Sequence, residues 1–289
     1  MDHDGQRTGP AVRTAAAGRA GAAAATVLVA VSAVAVSVAP AVAGTLPAPA
    51  PVSAPACPAT VILAARGSEE NDVYDDPTVD GPVAAHSNGW EGDTLHRFLT
   101  FAATVHPDLF TSGAGDVYVL GVDADHYPAR LPLPGKGEQI TLPSLVDGAV
   151  QFSESFTRGI PGTGAAVQEY EAASGCRPDY ITLGYSQGEA VLLPTQHDLA
   201  GQGRLRGVMA FGNPLQRVPQ VVPAGVPTES WCAPLDVVCD TGPASVVDAL
   251  TDDDDAGTHA DYFKDAVADP AGATAGERHA ADTLAAWLA

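Results

Sequence analysis

Positive charge is scarce in this sequence. Its 289 residues include 14 lysines and arginines against 35 acidic residues, which gives a formal net charge of −21 at pH 7. Only Lys136 and Lys264 are lysines. This charge repels a phosphate backbone and disfavours tight adsorption to anionic membranes. We therefore expect no nucleic-acid partner, and we interpret the acidity as a contribution to solubility.

Long apolar runs are also lacking, apart from one near the start of the chain. That run, residues 20–43, contains Pro40 and ends in Ala-Val-Ala. Three arginines precede it: Arg7, Arg13 and Arg19. The pattern is typical of a secretory signal peptide cleaved after Ala43, and without a twin-arginine pair a Sec-type signal is favoured. The alternative is an uncleaved membrane anchor, which the Ala/Val composition and the proline disfavour.

The predicted organisation is a signal peptide at 1–43, a Pro/Ala-rich linker at 44–56 and one domain at 57–289. The linker has no core-forming pattern, whereas the domain is long enough for a full core. We expect a secreted, extracellular monomer without stable membrane insertion after cleavage. Retention at the cell wall or cell surface is compatible with the same pattern.

Cysteine is rare, and no C-x-x-C pair is present. The four cysteines are Cys57, Cys176, Cys232 and Cys239. An even number in an exported chain predicts two disulfides, with three pairings open. A metal site is disfavoured because no histidine lies near Cys57 or Cys176, and we expect no metal or organic cofactor.

Predicted strands alternate with predicted helices along the domain. Apolar runs predict strands at 60–65, 116–122, 180–183, 205–211 and 228–232. Helical spacing follows at 90–105, 144–174 (interrupted at 159–164), 189–193 and 276–289. The segments 69–89 and 131–142 are expected to be irregular. This alternation predicts a three-layer α/β/α sandwich around a central parallel sheet.

The segment 179–193 carries the strongest local signal. A short apolar strand leads into Gly184-Tyr185-Ser186-Gln187-Gly188, and a helix-compatible pattern follows. This is G-x-S-x-G in strand–turn–helix context, which is typical of a nucleophile elbow. The glycines permit a tight, strained turn, and the following helix aims N–H groups at the reacting centre. The pentapeptide alone is weak evidence, so the rest of the chain must supply partners for Ser186.

A serine nucleophile needs a base. In α/β-hydrolases the acid and then the histidine follow the serine along the chain. His197 lies inside the helix that follows the elbow, so this order leaves His259 and His279. His279 lies in the predicted C-terminal helix, where a solvent-facing histidine is ordinary. His259 lies in a turn, and we prefer it.

The acid has several candidates: Asp236, Asp240, Asp248 and the run 252–255. Two cysteines seven residues apart flank Asp236 and can close a small loop that fixes its orientation, which is what an orienting acid requires. The acidic run is interpreted as a solvated loop, since it lacks the spaced ligands and the glycine of a calcium loop.

With these features the sequence resembles the cutinase family of secreted serine esterases, including the cutinase-like proteins of actinobacteria. Six motifs in the same order carry the resemblance, which covers most of residues 57–289. They are C-x8-R-G-S at 57–68, Y-P-A at 127–129, G-Y-S-Q-G at 184–188, F-G-N-P at 211–214, C-x3-D-x2-C at 232–239 and H-x2-Y at 259–262.

The resemblance implies an α/β-hydrolase with Ser186 as nucleophile, Asp236 as acid and His259 as base. It implies an oxyanion hole from the backbone N–H groups of Ser68 and Gln187, helped by the Ser68 hydroxyl. It also implies two disulfides, Cys57–Cys176 and Cys232–Cys239. The segments 69–89 and 236–259 are longer than expected for the family, and 131–142 is in a position to cover the cleft.

The predicted function is therefore hydrolysis of carboxylic esters, of cutin, lipid or short- to medium-chain acyl type, through an acyl-enzyme. Two alternatives stay open. One is phospholipase, thioesterase or acyltransferase activity on the same triad. The other is a catalytically silent secreted binding protein on this scaffold, suggested by the altered loops and the acidity.

Overall fold

The computed structural model of the chain describes residues 57–110, 116–132, 141–218, 221–240, 242, 244–245 and 257–289. All of them belong to one compact unit, Pro49–Ala289. The predicted signal peptide and linker, most of the 131–142 segment, Asp248 and the acidic run 252–255 lie outside the described residues.

Five parallel strands form the central sheet. They are β1 (Thr60–Ala65), β2 (Val117–Gly121), β3 (Asp179–Tyr185), β4 (Leu205–Phe211) and β5 (Thr228–Trp231). Their order across the sheet is β2-β1-β3-β4-β5, and every neighbouring pair is parallel. Every residue of β1 and β2 is buried, which explains the continuous apolar runs, since both sheet faces are covered.

Helices cover both faces of the sheet. They are α1 (Asp93–Val105), α2 (Leu142–Ser174), α3 (Gln187–Gly201), α4 (Lys264–Ala268) and α5 (Ala275–Leu288), with short 3-10 helices at Pro82–His86 and Gly257–Ala260. One core cluster joins the sheet to α1, α4 and α5, with Phe98, Phe263 and Leu284 among its members. A second cluster joins it to α2 and α3 through Val167 and Val191. The predicted three-layer sandwich is confirmed.

The chain changes direction across the sheet between β1 and β3. From β1 it proceeds to β2 at one edge, then returns to place β3 on the other side of β1. Ligands of open α/β sheets bind at the carboxyl ends of strands beside such a switch. Ser68 and Ser186 follow these two strand ends, so the topology brings them to the same crevice.

The predicted interruption of the long helix at 159–164 is wrong. Helix α2 is continuous and includes Pro161. A Cβ at Gly162 would lie 2.1 Å from the carbonyl oxygen of His126, and one at Gly159 would lie 2.7 Å from the Tyr127 ring. These glycines therefore serve close packing against the 126–127 loop, and this tertiary packing outweighs their low helix propensity.

The structure contains Cys57–Cys176 and Cys232–Cys239 disulfides, with S–S distances of 2.03 and 2.02 Å. These are the pairs that the resemblance implies. The first joins the residues just before β1 to those just before β3. Within the described residues, no helix combines the length and apolar character needed to cross a membrane.

Candidate active site

Ser186 occupies a strained turn between β3 and α3. Its backbone has φ 52° and ψ −125°, a left-handed φ that is costly for a residue with a side chain. The Ser186 N–H donates to the carbonyl of Phe211 at the end of β4, at 2.9 Å. Helix α3 begins at the next residue, so the serine side chain lies beside a helix N-terminus.

The two glycines of the elbow are required by packing. A Cβ at Gly188 would lie 2.0 Å from the carbonyl oxygen of Ala65, the last residue of β1. One at Gly184 would lie 2.4 Å from a carboxyl oxygen of Glu189. The G-x-S-x-G pattern is thus explained by the close approach of α3 to the sheet.

A hydrogen-bonded chain connects Ser186 to a buried carboxylate. His259 Nε2 lies 2.9 Å from Ser186 Oγ, and His259 Nδ1 lies 2.8 Å from Asp236 Oδ2. The histidine belongs to the 3-10 helix Gly257–Ala260. With Nδ1 protonated toward the carboxylate, Nε2 is left as an acceptor for the serine proton.

Asp236 is fully buried, at 0% exposure. Besides His259, its carboxylate accepts hydrogen bonds from Tyr262 Oη at 2.7 Å and from the Val238 N–H at 2.8 Å. Burial by itself would raise the pKa of Asp236, but these three donors outweigh it and lower the pKa below its ordinary value. The carboxylate is therefore ionised where it faces His259.

The Cys232–Cys239 disulfide encloses this acid. Cys239 Sγ lies 3.1 Å from Asp236 Oδ2. The two cysteine sulfurs and a carboxylate oxygen of Asp236 all lie within 4.8 Å of one another, as the ligands of a metal ion could. Since both sulfurs are joined in the disulfide, neither is a thiolate ligand, and the group does not fit a metal ion.

Ser68 and Gln187 face each other across the junction of β1 and α3. Ser68 Oγ donates to Gln187 Oε1 at 3.1 Å. Gln187 is the first residue of α3, whose leading N–H groups have no partner within the helix. The two residues that the resemblance assigns to an oxyanion hole thus lie next to Ser186.

The loop that carries Ser68 is anchored by two charged side chains, the buried Arg66 and the partly buried Glu70. Arg66 donates to the carbonyls of Val122 and Tyr127. Glu70 accepts from the Gly67 N–H and from the N–H and hydroxyl of Thr94. Burial raises the pKa of Glu70, even though these donors oppose the shift.

Two further glycines make room for the histidine and for Tyr185. A Cβ at Gly212 would lie 2.6 Å from the His259 ring, and one at Gly67 would lie 2.5 Å from the Tyr185 ring. Tyr185 stacks on His259 with ring centroids 5.0 Å apart, and its hydroxyl donates to the His259 carbonyl at 2.5 Å. Burial raises the pKa of Tyr185, so this donor keeps its proton.

A cleft of about 540 Å³ opens at Ser186 and His259. Its remaining lining is mixed: Ser68, Glu69, Glu70, Asp93, Arg97, Leu131, Tyr185, Val237, Val238, Ala260 and Lys264. Apolar side chains from two loops, Leu131 on one and Val237 and Val238 on the other, lie beside the serine. The cleft therefore offers an apolar surface next to the hydrogen-bonded pair of Ser186 and His259.

The other candidates lie elsewhere. His279 is 66% exposed on α5 and contacts Glu229 at 3.4 Å. Asp240 accepts hydrogen bonds from Arg217 and Ser245.

Sequence reasoning did not single out Arg66, Glu70, Tyr127, Tyr185 or Tyr262 as parts of the site. All but Glu70 lie inside the six motifs that carry the resemblance. Their position inside these motifs was the signal that could have identified them, because a single tyrosine or arginine in a sequence does not indicate a supporting role.

The chain is similar to solved structures of other proteins. No protein-family model matches the chain, and no curated protein sequence matches it. The chain is similar to a Trichoderma reesei cutinase in complex with a C11Y4 phosphonate inhibitor, at 21% identity and TM-score 0.41, covering 80% of this chain and 75% of that chain. It is also similar to a cutinase-like protein from Cryptococcus sp., at 20% identity and TM-score 0.37, covering 76% of this chain and 99% of that chain. Similarity at this level concerns the fold and assigns no role to any residue.

Proposed function

We propose that the protein is a secreted serine esterase of the cutinase type that hydrolyses carboxylic esters. Ser186 is the nucleophile, His259 the general base and Asp236 the acid that supports it. The observation that carries the proposal is the unbroken chain from Ser186 Oγ through His259 to Asp236, with contacts of 2.9 and 2.8 Å, in a cleft with apolar side chains beside the serine.

Acylation follows from this geometry. His259 Nε2 accepts the Ser186 hydroxyl proton as Oγ forms a bond to the ester carbonyl carbon. The imidazolium is stabilised by the ionised Asp236. As the tetrahedral intermediate collapses, the bond to the alcohol oxygen breaks, and His259 donates its proton to that oxygen. The alcohol leaves, and the acyl group remains on Ser186.

Deacylation repeats the sequence with water. His259 accepts a proton from the water whose oxygen attacks the acyl carbonyl carbon. It then returns a proton to Ser186 Oγ as the ester bond to the enzyme breaks. The carboxylic acid leaves and the free serine is restored.

The negative oxygen of each intermediate is placed against Ser68 and Gln187. Their backbone N–H groups and the Ser68 hydroxyl are the proposed donors. Loss of one such donor costs about 2.7–4 kcal/mol of transition-state stabilisation in comparable sites.

The protein is proposed to be exported from the cell. Residues 1–43 act as a signal peptide, 44–56 as a linker and 57–289 as the catalytic domain, working as a monomer. The two disulfides fit an oxidising compartment.

The test uses a serine-directed phosphonate probe and a panel of p-nitrophenyl esters, a phospholipid and a thioester. We expect the wild type to be labelled and to hydrolyse the esters. Ser186→Ala should abolish labelling and lower kcat by on the order of 10⁴-fold or more. Ser153→Ala, an exposed serine on α2, is the matched control and should change neither result.

The outcomes separate the candidate functions. A preference for phospholipid or thioester over every simple ester reassigns the acyl substrate and keeps the triad. A wild type that is neither labelled nor active on any substrate contradicts the esterase and favours a silent binding protein on this scaffold.

A further inference from the structure

Tyr127 contacts Gln187, which together with Ser68 is proposed to bind the oxyanion. Its side chain is fully buried, at 0% exposure. Its hydroxyl donates to Gln187 Oε1 at 3.0 Å, and Ser68 Oγ donates to the same oxygen at 3.1 Å. One amide oxygen thus accepts from both hydroxyls.

Because both hydroxyls donate to the same oxygen of Gln187, each hydrogen bond weakens the other. An amide oxygen has two lone pairs, and here the two hydroxyls occupy both. An oxygen that already accepts one hydrogen bond is a weaker acceptor for a second. The Tyr127 hydroxyl therefore loosens the hold of Gln187 on the Ser68 proton, which must turn toward a substrate oxygen to stabilise it.

The same hydroxyl sets the orientation of the amide. Gln187 is buried, and its Nε2 has no hydrogen-bond partner among the described residues. Nothing on the nitrogen side fixes the amide, so its orientation depends on the two donors to Oε1. If the Tyr127 donor is lost, only the Ser68 hydroxyl holds the amide in place.

Tyr127 is itself rigidly held. Its carbonyl accepts from Arg66 Nη2 at 2.7 Å, and the Arg66 guanidinium lies 5.4 Å from the centre of its ring. Gly159 of α2 packs so closely that a Cβ there would lie 2.7 Å from the ring. Since Arg66 also lies two residues before Ser68, one side chain connects the Tyr127 loop to the oxyanion loop.

We propose that Tyr127 is a positioning residue for the oxyanion site. Its hydroxyl keeps the Gln187 amide oriented and leaves the Ser68 proton free to turn to the developing oxyanion. Tyr127 touches no substrate atom and acts through Gln187 and Ser68. The inference rests on the proposed esterase function.

The experiment is a double-substitution cycle in the full chain with p-nitrophenyl butyrate as substrate. Tyr127→Phe removes the hydroxyl and keeps the ring. We expect kcat to fall about three- to tenfold, the range for loss of one hydrogen bond, with KM within about twofold. In a Ser68→Ala background, Tyr127→Phe should change kcat by less than about twofold, because the hydroxyl it serves is absent.

A matched control removes a buried tyrosine hydroxyl elsewhere. Tyr180 is also fully buried, and its hydroxyl donates to Glu171 at 3.1 Å. Tyr180→Phe should leave kcat unchanged, and melting temperatures of all variants show whether each folds. If Tyr127→Phe unfolds the chain, Gln187→Met removes the acceptor through which Tyr127 acts; kcat should then change when Ser68 is present and stay within about twofold in the Ser68→Ala background.

The outcomes keep the inference and the proposed function apart. An equal loss of kcat in the Ser68 and Ser68→Ala backgrounds, or no loss in either, overturns the inference and leaves the esterase standing. A wild type without ester turnover overturns the proposed function, and the inference falls with it.

Discussion

Two buried carboxyl groups lie on the two segments that form the site, and their pKa values shift in opposite directions. Glu189 is on α3, three residues after Ser186, and burial raises its pKa to about 8. Asp236 is on the segment before His259, and its pKa is lowered despite burial. Glu189 has one donor, Gln196, whereas Asp236 has three. For Asp236 the hydrogen bonds and the electrostatic attraction of His259 outweigh burial, whereas the single hydrogen bond to Glu189 does not.

The contrast extends to how each segment is built. The Ser186 turn joins a regular strand to a regular helix in the middle of the sheet. Asp236 lies in a loop and His259 in a short 3-10 helix, and they are held by a disulfide, by Tyr262 and by the packing of Tyr185. We expect substitutions around Asp236 to affect mainly catalysis, and those around Glu189 to affect mainly stability and its pH dependence.

Asp236→Asn should have the largest effect. An amide cannot provide the negative charge that stabilises the imidazolium, and it can favour the wrong tautomer of His259. We expect kcat to fall by about 10³- to 10⁴-fold, measured with p-nitrophenyl butyrate at neutral pH. Asp240→Asn alters an exposed ion pair with Arg217 and should stay within about twofold. A comparable loss in both variants would refute the assignment of Asp236.

Removal of the disulfides should separate activity from stability. In the chain-entropy model, the Cys57–Cys176 bridge, with a separation of 119, contributes about 5 kcal/mol to unfolding free energy. The Cys232–Cys239 bridge, with a separation of 7, contributes about 2.5 kcal/mol. We expect paired Cys→Ala variants to follow that order in urea unfolding.

Activity should follow the opposite order. Loss of the small bridge should lower kcat by about tenfold or more in folded protein, because Asp236 loses its neighbour Cys239. Loss of the large bridge should leave kcat near the wild-type value wherever the variant is folded. Unchanged kcat without the small bridge would show that Tyr262 and the Val238 N–H are enough to hold the acid.

Glu189→Gln should have a smaller effect that depends on pH. Between about pH 4.5 and 8, the folded state holds a proton on Glu189 that the unfolded chain has released. The unfolded state binds fewer protons, so this group makes the free energy of unfolding fall as pH rises, by up to about 1.4 kcal/mol per pH unit. Glu189→Gln removes that contribution.

Urea unfolding at several pH values in this window measures the difference between wild type and variant. The exposed Glu154→Gln is the matched control. If the stability curves of wild type and Glu189→Gln run parallel across the window, Glu189 is not protonated in the folded protein.

Much of the fold was predictable because its signals are local. The apolar runs at 60–65 and 205–211 coincide with β1 and β4. The interruption predicted at 159–164 was wrong because Gly159 and Gly162 gain packing against the 126–127 loop. Helix α4 was missed, since five residues carry too little periodicity to be recognised.

The sequence by itself determined the turn around Ser186, the parallel strands and a short list of partners, because these depend on neighbouring residues. Only the tertiary structure brings His259 beside Ser186 and Asp236 beside His259. His259 is 73 residues from Ser186 and 23 from Asp236, and no local pattern encodes such contacts. The roles of Tyr127 and Tyr262 depend in the same way on packing, since a buried hydroxyl acquires its partner only when distant elements meet.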